Sequence, residues 1–590
     1  MKKQISSVLM LLLSLSAEAQ IANFHLKNGD VVSYTASEIE FIDFRDETSG
    51  SIAPSTPSFD IPEMYNNFLG IITKMQAVGD KEILLTEPRG ELIEPGRAVS
   101  ELQALYCYES DLQDNSYANP QGYYEVITAC NAYLQYMKNI RANDGTNADE
   151  WRKLVASTIR IKVWAYKTLA EIYGQAAWSD DLVTDISLQH PGGNVRLLSL
   201  GELVDACLNL MEQGFEGASS QGEVVWTELL DPGQTSIAAS RYRQWNTMVP
   251  DYAGLYAELC LWKGAVLDAA GQASTAYYKT AADVLLQALG AKISSTSDPG
   301  TSVYWMPSAA TAGRYSSIWN YAQSFPFETV SAIFYDTEYH QANTLLKHFS
   351  NELPNVRLLR PSQAGIARFL DQAFNPGATA YDTRYRCCFG TSADASSLTK
   401  FRPDNSNIRP AYQDNVHIYI YRATQYHMML CEALNHLQRF AAMNAVLNTG
   451  VRTSDFQAGT PEWEGFESTV NPAVCDWTSN ANWGTRRYPS AGIRGCFNLS
   501  ARPVKTDVAE LGKTATLKFN DLALLDESML EFAGEGKVYP MMNRMAVRYS
   551  DPSIVADRVC QKYTDSNLAA SVRNSIMNGG YWVPYSLTAQ

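Results

Sequence analysis

From residue 123 onward, apolar residues recur at three- and four-residue intervals, the period of helices packed on one face. Residues 123–140, YYEVITACNAYLQYMKNI, and 149–174, DEWRKLVASTIRIKVWAYKTLAEIYG, each predict a long helix. Residues 251–271 and, after a short break, 273–289 predict a helix-turn-helix pair. Residues 418–452, from IYIYRATQYHMMLCEALN onward, predict another pair with a polar joint near Asn435. Repeated helix pairs suggest tetratricopeptide-like stacking, here with a loose match to the consensus. The fold class that follows is predominantly all-α, a scaffold of helix pairs.

Other stretches break this period. Residues 25–44 alternate apolar and polar around Asn28-Gly29, a pair suited to a tight hairpin turn, and predict a small β segment. Residues 46–58, DETSGSIAPSTPS, read as a linker. Long stretches rich in Ser, Thr, Pro, Gly and aromatics, at 292–325, 374–414 and 455–505, interrupt the helices. Irregular segments of that length in a compact domain are functional or disordered, and their aromatics favour function.

The amino end reads as an export signal. Lys2 and Lys3 precede a mostly apolar run from Val8 to Leu15, and Ala17-Glu18-Ala19 supplies small residues for cleavage before Gln20. No later segment offers roughly 18 uninterrupted apolar residues, so an exported protein, soluble outside the cytoplasm, is expected. A lipid anchor needs a cysteine just after the apolar run, but the first is Cys107. The expected organisation is a signal peptide at 1–19, a β segment at 20–45, a linker at 46–58 and one domain over 59–590.

Composition then removes several function classes. The 590 residues carry a formal charge of −16 and a pI near 5.0, which disfavours binding to phosphate backbones and so argues against a nucleic-acid partner. Ten cysteines are too dilute for a disulfide scaffold. Cys130, Cys207, Cys260 and Cys431 fall in apolar helical patterns, and the adjacent Cys387 and Cys388 are expected as free thiols because a vicinal disulfide is strained. None of the seven histidines lies in a His-Glu-x-x-His pattern, and His427 with Cys431, one turn apart, is read as a pair of core neighbours. Neither a Gly-x-Ser-x-Gly elbow nor a glycine-rich phosphate loop is present. A helical glycoside hydrolase would need paired carboxyls across the scissile bond. Glu527, Glu531 and Glu535 share one helix face, but such a stripe normally marks a solvated face or pairs with nearby bases. No enzyme activity, cofactor or metal is expected.

Five segments in order resemble the SusD/RagB family of surface nutrient-capture proteins. The first two helices are similar to that family's opening pair, with Asn131 after a Tyr-rich start and Tyr173-Gly174 closing the second. ETVSAIFYD at 328–336 resembles its Glu-Val-Ile-Phe strand. RPSQAGIARFL, followed by Asp382-Thr383-Arg384, resembles its Pro-Ser and Asp-Pro-Arg signposts, with Thr383 in place of proline. Lys400-Phe401 and IYIYRATQYHMMLCEALN look like the segment running into Ala-Glu-Ala, with Cys431 replacing the first alanine. LDESMLEFAGEGKVYPMMNRM at 525–545 resembles the late helix, with Glu531, Glu535 and Gly536 in register and Ser528 and Lys537 departing. The resemblance implies a helical domain with ligand-binding loops and a SusC-like TonB-dependent outer-membrane transporter as partner. It places the chain at the outer membrane or cell surface, held by that transporter since no lipobox cysteine is seen.

Glycans are gripped by aromatic rings stacked on sugar faces and polar groups aimed at hydroxyls. The aromatics in irregular segments are therefore the candidate ligand contacts: Tyr304, Trp305, Tyr315, Trp319 and Tyr321 with Arg314, and Tyr108 and Tyr117 around ESDLQDNS. Trp477 and Trp483 come second. Glycan or oligosaccharide capture is the expected role, with peptide capture of the RagB type as the alternative. A tetratricopeptide-type scaffold for another protein is the third reading.

Overall fold

A computed structural model describes residues 21–25, 31–35, 61–140, 148–179, 181–182, 195–222, 247–293, 315, 318–319, 328–335, 341, 344–349, 358–373, 382–389, 398–401, 416–450, 466, 492–497 and 499–585. The signal segment and the 46–58 stretch lie outside them. The chain divides into two units, Met1–Ser58 and Phe59–Gln590. In the first, strands β1 (Ile21–His25) and β2 (Val31–Thr35) pair antiparallel from Ile21↔Thr35 to His25↔Val31. The hairpin thus begins four residues earlier than the alternation at 25–44 suggests and ends at Thr35.

The second unit is predominantly helical. Helices α1 (Ile61–Val78), α2 (Gln121–Asn139) and α3 (Ala148–Tyr173) pack in sequence, and α4 (Leu200–Gln213) covers α3 after a hairpin of β3 (Gln175–Ser179) and β4 (Val195–Ser199). Buried on every side from Leu154 to Tyr173, α3 is a central rather than an amphipathic surface helix. Helices α5 (Tyr252–Ala269) and α6 (Thr275–Ile293) form the next antiparallel pair. Asp251 caps α5 by accepting the Ala253 N–H at 2.9 Å. Gly254 and Gly264 let neighbours close in: a Cβ on Gly264 would meet the Tyr278 ring of α6 at 2.6 Å, and one on Gly254 the Tyr426 ring at 2.7 Å. Among the described residues, no helix is long and apolar enough to cross a membrane.

One sequence expectation fails here. Residues 418–422 do not open a helix: they lie in strand β6 (His417–Arg422), which pairs antiparallel with β5 (Thr329–Phe334), and α7 (Ala423–His436) starts only afterwards. IYIYR is β-branched and aromatic, and every residue of β6 is buried, so strand geometry wins once β5 supplies a partner. The polar joint falls where expected, α7 ending at His436 and Gln438 turning at φ +59°. Cys130, Cys207, Cys260 and Cys431 are buried, and Cys387 and Cys388 are buried free thiols. His427 bonds the Ala423 carbonyl at 2.8 Å, and no metal-holding cluster occurs among the described residues.

The β5–β6 register sets Glu328 beside Arg422, which opens onto a buried ion network built on α8 (Lys513–Glu531) and the turn after it. Arg422 reaches Glu328 at 2.8 Å, Glu531 at 2.8 Å and Glu535 at 2.9 Å. Arg384 holds Asp382 and Glu527 at 2.7 Å and Glu531 at 3.0 Å. Lys400 binds Glu535, and Arg494 and Arg502 reach Glu527 at 2.9 Å. The Glu527, Glu531 and Glu535 stripe is therefore no solvated face; of the two readings, pairing with bases is the one realised. Burial works against ionisation of Glu527, but Arg384, Arg502 and Arg494 hold it well below the usual carboxylate range. A second buried knot joins α7 to α9 (Val538–Arg548), where Arg544 and Arg548 grip Glu432 at 2.6 and 2.5 Å. The residues that carry the family resemblance are largely the members of these two knots.

Near them, burial pushes the Glu87 carboxyl from 4.5 up to about 7, even though it accepts the Gly536 N–H at 2.8 Å. A raised carboxyl contributes stability that is complete below its unfolded value and is lost as pH climbs from about 4.5 to about 7. Glu87→Gln removes that loss. The variant should gain on the parent by about 3 kcal/mol between those two pH values, read by urea unfolding at each. A constant difference across the window would contradict it.

Candidate ligand-binding cleft

The loop aromatics nominated from sequence divide sharply. Tyr304, Trp305, Arg314 and Tyr321 lie outside the described residues, as do Trp477 and Trp483. Tyr315 and Trp319 have no exposed surface. Tyr315 donates its hydroxyl to the Glu531 carbonyl at 2.6 Å. The Trp319 ring is boxed edge-on by Tyr419 and Phe401 at 5.1 and 5.4 Å, with the Lys400 ammonium 4.5 Å from its centre. These two rings cap the buried cations, where a desolvated ammonium gains from an aromatic face. They are core residues and offer no ring face to a sugar.

Tyr108 is also buried, at φ +56°, with its hydroxyl bonded to the Arg89 carbonyl and the Arg89 guanidinium 4.0 Å from its ring centre. It shapes a wall instead of presenting a ring. Tyr117 is half-buried, its hydroxyl 2.9 Å from Nε2 of His348. Burial lowers the His348 pKa, so a neutral ring with Nδ1–H on the Thr344 carbonyl at 2.7 Å and Nε2 accepting from Tyr117 fits this geometry.

The Tyr108 wall borders a cleft of about 1180 Å³. One side is the loop from Cys107 to Asp111, the floor is Tyr173-Gly174-Gln175 at the end of α3, and the far side is α10 (Ser566–Ser575) with the tail after it. Trp582 lies against the floor. Gly174 sits at φ +69°, and a Cβ there would come within 2.8 Å of the indole, so only glycine lets the ring settle. Trp582 and Tyr585 stay half-exposed, while Ser571, Asn574 and Asn578 on the far side and Gln175 on the floor offer hydroxyl and amide groups.

Arg89 joins the walls. It is fully buried, donates to the Gly580 carbonyl and, at 3.3 Å, to that of Trp582, and lies over Tyr108. The tail is pinned further by the Val583 N–H on the Ile172 carbonyl at 2.9 Å and by the Tyr539 hydroxyl on the Tyr581 carbonyl at 2.7 Å. The backbone that carries Trp582 is therefore held in place before any ligand arrives. A second cleft, of about 920 Å³ beside β3 and β4, holds charges of both signs, but its Trp178 is buried against Tyr166 at 4.4 Å and Lys162 at 5.6 Å. Sequence reading passed over Trp582 and Tyr585. The available signal was Gly579-Gly580 followed by a run of aromatics, GGYWVPY, beyond the last helical pattern.

No family model and no curated protein matches the sequence. Solved structures do match. A SusD superfamily protein from Bacteroides vulgatus aligns over 87% of this chain and 92% of its own, with TM-score 0.56 and 11% identity. A SusD homolog from Bacteroides thetaiotaomicron aligns over 90% and 95%, with TM-score 0.53 and 11% identity. Surface glycan-binding protein A from Bacteroides uniformis aligns over 86% and 93%, with TM-score 0.52 and 14% identity. At such identities the likeness is one of architecture, and the chain has the fold of these SusD-like structures.

Proposed function

We propose that this chain captures glycans or oligosaccharides at the cell surface and delivers them to a SusC-like TonB-dependent outer-membrane transporter, with the cleft around Trp582 as its binding site. The observation that carries the reading is the Trp582 indole, fixed on Gly174 yet half-exposed among amide and hydroxyl groups. That is the combination sugar rings require, an apolar platform ringed by groups for hydroxyls. The shared architecture with a protein named as surface glycan-binding supports it. The role is binding rather than hydrolysis: among the described residues the carboxylates lining the cleft, Glu109 and Asp111, stand on one wall, whereas a glycosidase needs a pair across the bond. Residues 1–19 act as export signal and 46–58 as linker between the 20–45 segment and the 59–590 domain. Tyr117, Tyr304, Trp305, Arg314 and Tyr321 are candidate contacts from the loops.

Calorimetric titration of the exported chain against soluble polysaccharides, oligosaccharides and mixed peptides tests the reading. Saturable glycan binding is expected, weakened roughly five- to thirtyfold in Trp582→Ala, as loss of a stacking platform of about 1–2 kcal/mol implies. Binding to peptides alone would replace glycan by peptide capture of the RagB type. Silence on both panels would end the capture reading, and release of shortened sugars would make the protein a hydrolase.

A further inference from the structure

We infer that the cleft accepts uncharged glycans and rejects carboxylated ones, with Glu109 and Asp111 as the residues that decide between them; this rests on the capture reading above. Proteins hold carboxylates with guanidinium, ammonium or imidazolium donors, bidentate where possible. Among the described residues lining the cleft there is no Lys, Arg or His. The lining groups that could meet a ligand's rim are amides, hydroxyls and these two acids.

Cations close to the lining residues are turned elsewhere: Lys562 is buried and donates to the Pro88, Gly90 and Ile93 carbonyls. Arg89 lies behind Tyr108 and donates to the Gly580 and Trp582 carbonyls of the tail. Arg573, on the far helix, is bonded to Asp557. Glu109 and Asp111 are both exposed at the rim, and the Asp111 carboxylate accepts the Gln113 N–H at 3.2 Å, which holds it in place. A uronate entering beside Trp582 meets two negative charges and, among the described lining residues, no compensating cation. A neutral sugar of the same shape meets only hydrogen-bonding groups. Like-charge contact at a solvated rim weakens binding several-fold and is screened by salt.

The test titrates the full chain and its Glu109→Gln/Asp111→Asn variant with soluble starch, xylan and laminarin, and with polygalacturonate and alginate, in 20 mM and 500 mM NaCl. The parent should bind at least one neutral polymer and bind the polyuronates at least five- to tenfold more weakly. That deficit, read as the ratio of polyuronate to neutral affinity in the same protein, should shrink at high salt and in the double variant; both substitutions keep side-chain size and lie on the surface. Equal binding of neutral and carboxylated polymers, or a double variant that gains nothing on polyuronates, overturns the inference and leaves capture standing. No binding to any polymer overturns the capture reading itself, and the inference with it.

Discussion

Arg422→Met should destabilise the protein by about 5 kcal/mol or more, enough to remove most of the margin of an ordinary domain. Arg422 has no exposed surface and is the shared partner of Glu328, Glu531 and Glu535. Its removal strands three carboxylates in a medium that solvates them poorly, whereas methionine replaces only the volume. The deficit should narrow as pH falls from 7 toward 5, because stranded carboxyls can take up protons; burial already pushes Glu328 up to about 7 with Arg422 present. Urea unfolding at the two pH values reads both effects. Lys74→Met is the control, since the Lys74–Glu125 pair at 2.9 Å is half-exposed at each end and should matter by less than about 0.5 kcal/mol. An Arg422→Met protein within about 1 kcal/mol of the parent would mean the network is not what holds β6 to α8.

Trp319→Ala should cost about 3–5 kcal/mol in stability, the range for deleting a fully buried aromatic, while the molecules that remain folded keep their ligand affinity. The indole fills space between Tyr419, Phe401 and the Lys400 ammonium, and no relaxation closes a hole of that size at low cost. Trp582→Ala should behave oppositely, with a small change in unfolding midpoint and a large loss of glycan binding, because that ring rests on a glycine with its outer side toward the cleft. Unfolding curves and titrations of the two variants side by side decide the assignment. If Trp319→Ala spared the fold and abolished binding, the ligand would have to lie at the ion network, and the cleft around Trp582 would lose its standing.

The helices were legible because their signal is local. The periodicity at 123–140 and 149–174 matches Gln121–Asn139 and Ala148–Tyr173 to within two residues, and 251–271 and 273–289 match Tyr252–Ala269 and Thr275–Ile293 to within four. A three- or four-residue spacing puts side chains on one face whatever lies beyond it. IYIYR was misread because a short apolar run is compatible with helix or strand, and only β5, 88 residues earlier by the Thr329 start of that strand against His417, makes it a strand.

The loop aromatics failed as site markers for a related reason. Tyr315 and Trp319 lie in a stretch whose composition reads as irregular, but their surroundings come from Lys400, Tyr419, Arg422 and Glu531, all distant in sequence. What the sequence by itself determined is the helical class, the paired arrangement and the list of acidic and basic signposts, since each depends on residue type and short-range spacing. What only the tertiary structure decided is which charges are buried against which, and where a ring stands free. The stripe of Glu527, Glu531 and Glu535 becomes core because Arg384, Lys400 and Arg422 arrive from other elements, and the cleft exists because the ends of α3 and α10 meet the loop at Cys107. Burial and long-range Coulomb pairing depend on the packed arrangement of the whole chain, which no local spacing encodes.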